Sequence, residues 1–252
     1  MNSTNNTVPG NRTKQLRRSA VACVIGFTAV MAAPSLLGWT QAEAAKKSRP
    51  GIFNSVEVRK KGLKPFPKWT GALDRYVKES AKKQGKCKPT KKKKCYYANW
   101  LKTIATLKKK GPWEQIQGVN KLMNRAPYVV DKMNWGIKDY WSTPGQFFAR
   151  YGDCEDYAIV KFLSLRALGI PSKQMRVVVV QDLNLKVAHA VLALYIRGKV
   201  LVLDNQIKKV VEAKSIRHYR PIFSLNEEGW WMHRKGSKSK KKKKKRKKKT
   251  RS

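Results

Sequence analysis

A single cysteine stands in the acidic cluster Gly152-Asp153-Cys154-Glu155-Asp156, directly ahead of an apolar run with helical spacing. A thiol attacks as thiolate, and a helix N-terminus with a nearby imidazolium lowers the cysteine pKa toward that state. Cys154 is therefore a candidate nucleophile, and the free backbone N–H groups at the same helix end can hold an oxyanion. His189, in Ala188-His189-Ala190-Val191-Leu192, is the candidate base. Asp204, closing Val200-Leu201-Val202-Leu203-Asp204, is the candidate for orienting the imidazole. Each residue alone has a plainer explanation as packing, strand edge or turn. Cys, His and Asp together in that order, on a helix start and two strands, point to nucleophilic acyl chemistry.

The acids beside Cys154 need their own account, because negative charge next to a thiolate opposes its formation. Asp153, Glu155 and Asp156 are hard oxygen donors of the kind calcium takes, and a bound cation would remove the objection. Calcium usually takes more ligands than three local carboxylates supply. Spacing alone therefore leans toward the simpler account, in which Glu155 and Asp156 complement the positive end of the helix.

These side chains must be brought together by a hairpin. A four-residue loop over residues 195–198 pairs Leu194 with Lys199 and sets His189 directly opposite Asp204, on one face. A two-residue loop at Gly198-Lys199 would separate them by four positions, roughly 13 Å. The longer loop, or a bulge of equal effect, is the expectation, with Asn205 facing the other side.

Helical spacing begins at Trp69 (Leu73, Tyr76, Val77) and resumes with Trp100, Leu101, Ile104 and Leu107, ended by Gly111-Pro112. A third helix covers residues 113–125, residues 128–142 read as loop, and Thr143-Pro144 reads as a cap and first turn. Residues 156–168 form a helix with a buried face that includes Lys161. Strands follow at residues 176–181, buried on both faces, 188–196 and 199–204. Helices first and an antiparallel sheet afterwards define an α+β fold.

At 252 residues the chain can enclose one full core, while its formal net charge of +42 lies partly in a terminal run basic at every position of 240–249. That run buries nothing, so residues 235–252 read as a disordered tail, fitted to anionic envelope polymers or lipid headgroups. It carries no aromatic residue for base stacking, which argues against nucleic acid. Basic residues, an apolar run from Ala20 to about Trp39 and Ala42-Glu43-Ala44 mark residues 1–44 as a signal peptide cut after Ala44 for export to the periplasm; an uncleaved anchor is the alternative. Residues 45–68 are then an irregular lead-in and 69–234 the folded domain. Cys23 leaves with the leader. Cys87 and Cys95 flank a lysine-rich loop and are placed for a disulfide in an oxidising compartment, two free thiols being the alternative. Zinc is disfavoured by the absence of nearby histidine.

Several short motifs in fixed order resemble one family. They are the segment from Trp135-Gly136-Ile137-Lys138-Asp139 through Tyr140-Trp141-Ser142-Thr143-Pro144, Gly152-Asp153-Cys154-Glu155-Asp156-Tyr157-Ala158, His189-Ala190-Val191-Leu192 and Leu203-Asp204-Asn205. The chain is similar in them to the bacterial transglutaminase-like cysteine proteinases. The resemblance implies a papain/transglutaminase-like fold and Cys154, His189 and Asp204 as the triad. It implies calcium bound through Asp153 and Glu155, with Asp156, and cleavage of a large surface adhesin that controls biofilm attachment. It leaves room for an inner-membrane receptor that regulates the protease. The polylysine tail and the basic insert between Cys87 and Cys95 depart from the family pattern. Acyl transfer to an amine, and a non-catalytic polybasic binding role, remain the competing readings.

Overall fold

The computed structural model describes residues 51–82, 87–88, 90–91 and 95–235. The expected leader, and the tail beyond Lys235, lie outside the described residues. Six helices precede most of the sheet: α1 (Pro67–Ala81), α2 (Tyr96–Lys108), α3 (Pro112–Met123), α4 (Asp131–Trp135), α5 (Pro144–Arg150) and α6 (Cys154–Ala167). The strands are β1 (Ser55–Lys60), β2 (Met175–Asp182), β3 (Ala188–Ile196), β4 (Lys199–Leu203), β5 (Val211–Glu212), β6 (Tyr219–Asn226) and β7 (Gly229–Lys235). They form one antiparallel sheet in the order β1-β7-β6-β2-β3-β4-β5. This is the α+β architecture expected from the sequence.

Local chemistry sets most helix starts. Proline opens α1, α3 and α5, where its missing N–H costs no hydrogen bond. Thr143 Oγ1 accepts the Gln146 N–H at 3.2 Å, the cap expected for α5. Gly111-Pro112 starts α3, since α2 has already ended at Lys108. Within the segment expected to be loop, α4 forms a single short turn closed by Gly136 at φ 72°. Cys87 and Cys95 are joined by a disulfide, their Cα atoms 5.9 Å apart, which ties the approach to α2. Among the described residues Cys154 is the free cysteine.

Two sequence expectations are corrected. Residues 45–68 do not form an irregular lead-in throughout: β1 is an edge strand whose partner, β7, lies at the other end of the described chain, with Ser55 paired to Lys235. Most of its residues are polar, Val56 and Val58 excepted, so the strand is defined by its partner's hydrogen bonds more than by its own pattern. The second correction concerns the hairpin register. Ile196 pairs with Lys199 around a two-residue turn, Arg197-Gly198, with φ of 46° and 76°. Positive φ at both positions is the geometry that matches strand twist in the tightest hairpins. Continued past the end of the ladder at Leu192 and Leu203, this register would set Gln206, not Asp204, opposite His189, with Asp204 one pleat away on the same side.

The sheet is buried on both faces near its centre. Trp69, Trp100, Phe162 and Leu163 pack with Leu192, Leu194 and Leu203 on the helical side. Ile52, Val178, Val191, Val202 and Tyr219 fill the other. Both faces of β2 carry valines because both need apolar cover. The hairpin of β6 and β7 holds a proline, Pro221, tolerated because the β2–β6 ladder slips there and leaves Ile222 as an extra residue. Among the described residues no helix is long and apolar enough to cross a membrane.

Phe162 is fully buried, its ring edge-on to Trp69 at 5.3 Å. Phe162→Ala is expected to cost about 3–5 kcal/mol in the transfer and cavity free energies. Urea unfolding followed by tryptophan fluorescence measures the loss.

Candidate active site

The N-terminus of α6 is built by a tight approach. Tyr151 holds φ 64° and ψ −152°, a region normally left to glycine, and Gly152 follows it. A Cβ on Gly152 would lie 2.0 Å from Asp156 Oδ2, so only glycine lets the chain pass. Asp156 is fully buried and occupied: Oδ1 accepts the Ser142 N–H at 2.6 Å and Oδ2 the Asp153 N–H at 3.3 Å. It thus fastens the segment ahead of α5 to the first turn of α6, and Cys154 is presented at that turn.

At the sheet end, His189 Nε2 lies 2.9 Å from Asp204 Oδ1, with both residues buried. The Gln206 N–H also donates to Oδ1 at 2.9 Å, and the Tyr219 hydroxyl donates to Oδ2 at 2.7 Å. Burial alone would raise the Asp204 pKa, but these donors, His189 foremost, hold it below the ordinary carboxylate value. The contact crosses the pleat diagonally instead of joining directly opposed residues. It is possible because the β3–β4 ladder stops at Leu192 and Leu203, and the chain bends after it. Sequence reasoning missed Tyr219 and Gln206; both lie outside the Cys, His and Asp motifs, and only the fold carries them to Asp204. Lys161 sits buried two turns along α6, its ammonium 5.8 Å from the Tyr157 ring centroid and without a hydrogen-bond partner among the described residues. Burial draws its pKa down to about 7 while the charge on Asp204 pushes it up.

Cys154 is near this pair without being bonded to the ring. Its thiol donates to Glu155 Oε2 at 3.1 Å, and the Ala190 backbone, next to His189, is near enough to draw its pKa down slightly. Among the described residues no hydrogen bond joins Cys154 to His189; the amide of Gln206 lies 3.4 Å from His189 Nδ1. Burial, then the charges of Glu155 and Asp153, push the thiol pKa well up.

The acidic cluster is larger than the sequence suggested. Asp131 on α4 and Asp139 beyond it join Asp153, Glu155 and Asp156, in groups whose candidate ligand atoms all lie within 4.8 Å of one another. Asp131 Oδ2 accepts the Tyr140 N–H and Asp139 Oδ2 pairs with Lys68. Three buried carboxylate oxygens, Oδ1 of Asp131, Asp139 and Asp153, have no hydrogen-bond partner among the described residues. Burial first, then Glu155, raises Asp153 to about 8; burial chiefly raises Asp131 to about 6. Buried acceptor oxygens without donors are costly, and several converging ones suit a hard cation. The sequence held no signal for Asp131; Asp139, 14 residues before Asp153, stands in a family motif but spacing gave it no role.

The model of the family described as bacterial transglutaminase-like cysteine proteinase matches residues 76–238. Among solved structures, Legionella pneumophila LapG is 37% identical, with 57% of this chain and 81% of that one covered and a TM-score of 0.50. Calcium-bound Legionella pneumophila LapG is 33% identical over 62% of this chain and 87% of that one, with a TM-score of 0.53. No curated protein matches the chain.

The depressed pKa of Asp204 means that the stability it supplies is present above its unfolded value and lost as pH falls through the folded one. Asp204→Asn is therefore expected to lower the melting temperature at neutral pH, and the deficit to close below about pH 3.9. Thermal melts of both proteins across that range, followed by circular dichroism, read the difference. A deficit independent of pH would mean that the charge is not its source.

Proposed function

The chain belongs to the bacterial transglutaminase-like cysteine proteinases and is a cysteine peptidase. From that premise we propose an exported, calcium-dependent endopeptidase that uses Cys154, His189 and Asp204 to cut a large surface adhesin, and so controls biofilm attachment. The observation that carries the reading is the buried His189–Asp204 contact at 2.9 Å, one residue from Ala190, whose backbone lies near the Cys154 sulfur.

With Nε2–H committed to Asp204, the free lone pair of the His189 ring is on Nδ1, the atom that takes the thiol proton. This requires Gln206 to yield its place at Nδ1 and the thiol to leave Glu155. The thiolate then adds to the scissile carbonyl carbon and the carbonyl electrons pass to oxygen, which the Cys154 N–H at the helix end stabilises. Collapse breaks the C–N bond, His189 protonates the leaving amine, and a thioester remains. Water, deprotonated by His189, adds to that thioester, and collapse releases the acid and the thiol. Asp204 stays ionised throughout, holding the ring and stabilising the imidazolium, with Tyr219 and Gln206 holding Asp204.

Asp131, Asp139, Asp153 and Glu155 would hold calcium, with Asp156 bracing Asp153 from behind. The three orphaned oxygens support this reading, as does the likeness to a calcium-bound LapG. A divalent cation bound there supplies positive charge against the carboxylates that oppose the thiolate. Adhesin cleavage rests on the likeness to LapG and on the family motifs. Export rests on the leader, cut after Ala44 to leave the protein in the periplasm. We assign the polybasic tail to anionic envelope polymers or lipid headgroups.

An adhesin N-terminal fragment should be cut by the mature protein in calcium, and not by Cys154→Ala. His189→Ala should lose activity by a factor of about 10³ or more. Gel analysis of the fragment reads the result, and cleavage surviving in Cys154→Ala would end the nucleophile assignment. Calcium is expected to raise the melting temperature and a chelator to reverse the rise. Asp131→Asn should abolish the shift, and an unchanged shift in that variant would remove Asp131 from the site.

A further inference from the structure

Tyr128 lies outside every motif that marks the family in the sequence, yet it is strapped to the nucleophile. Its backbone bridges to Gly152 in parallel register, and the Val129 N–H donates to the Gly152 carbonyl at 2.9 Å. Its ring lies nearly parallel to that of Tyr157, 15° apart, with centroids at 6.3 Å. Tyr157 is fixed in turn: its hydroxyl donates to the Ala126 carbonyl at 2.5 Å, and its ring meets Phe147 edge-on at 5.0 Å. The Tyr128 backbone is therefore tied to the segment before Cys154, and its ring rests on that of Tyr157. The residue is nonetheless 55% exposed, so it faces the solvent from which a substrate arrives.

The hydroxyl points to the reacting centre. The Cys154 backbone N–H is within reach of its oxygen. Burial, Cys154 and the carboxylates of Asp153 and Glu155 all push its ionisation well above the usual tyrosine value, so it remains a neutral donor. An oxyanion hole needs two donors that meet at the point where negative charge develops, and the Cys154 N–H is one.

We propose that Tyr128 is a catalytic residue, its hydroxyl being the second oxyanion donor beside the Cys154 N–H. When sulfur bonds to the carbonyl carbon and the carbonyl electron pair moves to oxygen, the substrate oxygen takes the place of the Tyr128 oxygen at the Cys154 N–H. It accepts the Tyr128 O–H as well. Tyr128 keeps its proton throughout; His189 takes the thiol proton and gives it to the leaving group.

The inference rests on Cys154 being the nucleophile, and the test separates the two. p-Nitrophenyl acetate acylates a thiol through a tetrahedral oxyanion, whereas iodoacetamide alkylates the same sulfur by displacing iodide, without one. In the calcium-loaded full chain, Tyr128→Phe keeps the stacked ring and should slow acylation by about 100-fold while leaving the alkylation rate unchanged. Acylation at the wild-type rate would overturn the proposal, and so would an equal slowing of both reactions, which would place Tyr128 in support of the thiolate. Equal release of p-nitrophenol by the wild-type chain and Cys154→Ala would instead overturn the nucleophile, and the proposal with it.

Discussion

The rest of the site depends on holding a thiol among buried carboxylates at the start of one helix. Burial and like charge both work against the Cys154 thiolate, and the same two forces raise Asp131, Asp153 and Glu155 toward their neutral forms. Such a group of acids stays together only where the backbone fixes each member. Here the fixing is covalently local for Asp153 and Glu155 and tertiary for Asp131 and Asp139. Asp156 locks the two parts together by accepting backbone N–H groups from both. The uncompensated oxygens that result are a poor arrangement for a bare protein and a good one for a hard cation.

The second half of the site answers to a different rule. Asp204 is at least as buried as most acids of the cluster, but it is surrounded by donors, so its charge is favoured. Two acid environments on one chain are thus pushed in opposite directions, the pattern expected where carboxylates serve different purposes. The sheet supplies the second environment. Gln206 enters through the bend that follows β4, and Tyr219 through β6, which reaches the same end of the sheet from three strand positions away.

Strain is concentrated where these halves meet. Tyr151 adopts a backbone conformation that a side chain disfavours, and Gly152 passes so close to Asp156 that no other residue fits. Both sit immediately before Cys154. The cost, of order 1–3 kcal/mol for such a residue, is met by the packing of α6, which is enclosed by helices and sheet over most of its length. The chain can therefore hold the sulfur in one place.

The sequence by itself determined the helical caps, the buried strands and the candidate residues Cys154, His189 and Asp204, because these depend on residues near one another along the chain. Proline and threonine at helix starts, valines in β2 and the acids flanking Cys154 all carry their own local reason. Tertiary structure decided what no local pattern encodes. It chose the two-residue turn at Arg197-Gly198 over the longer loop, so that His189 reaches Asp204 diagonally. It made a strand of Ser55–Lys60, whose hydrogen bonds come from β7. It also carried Asp131, Asp139, Tyr128 and Tyr219 to the site. Hydrogen bonds and Coulomb interactions act over a few ångströms of space, and sequence distance does not measure that space.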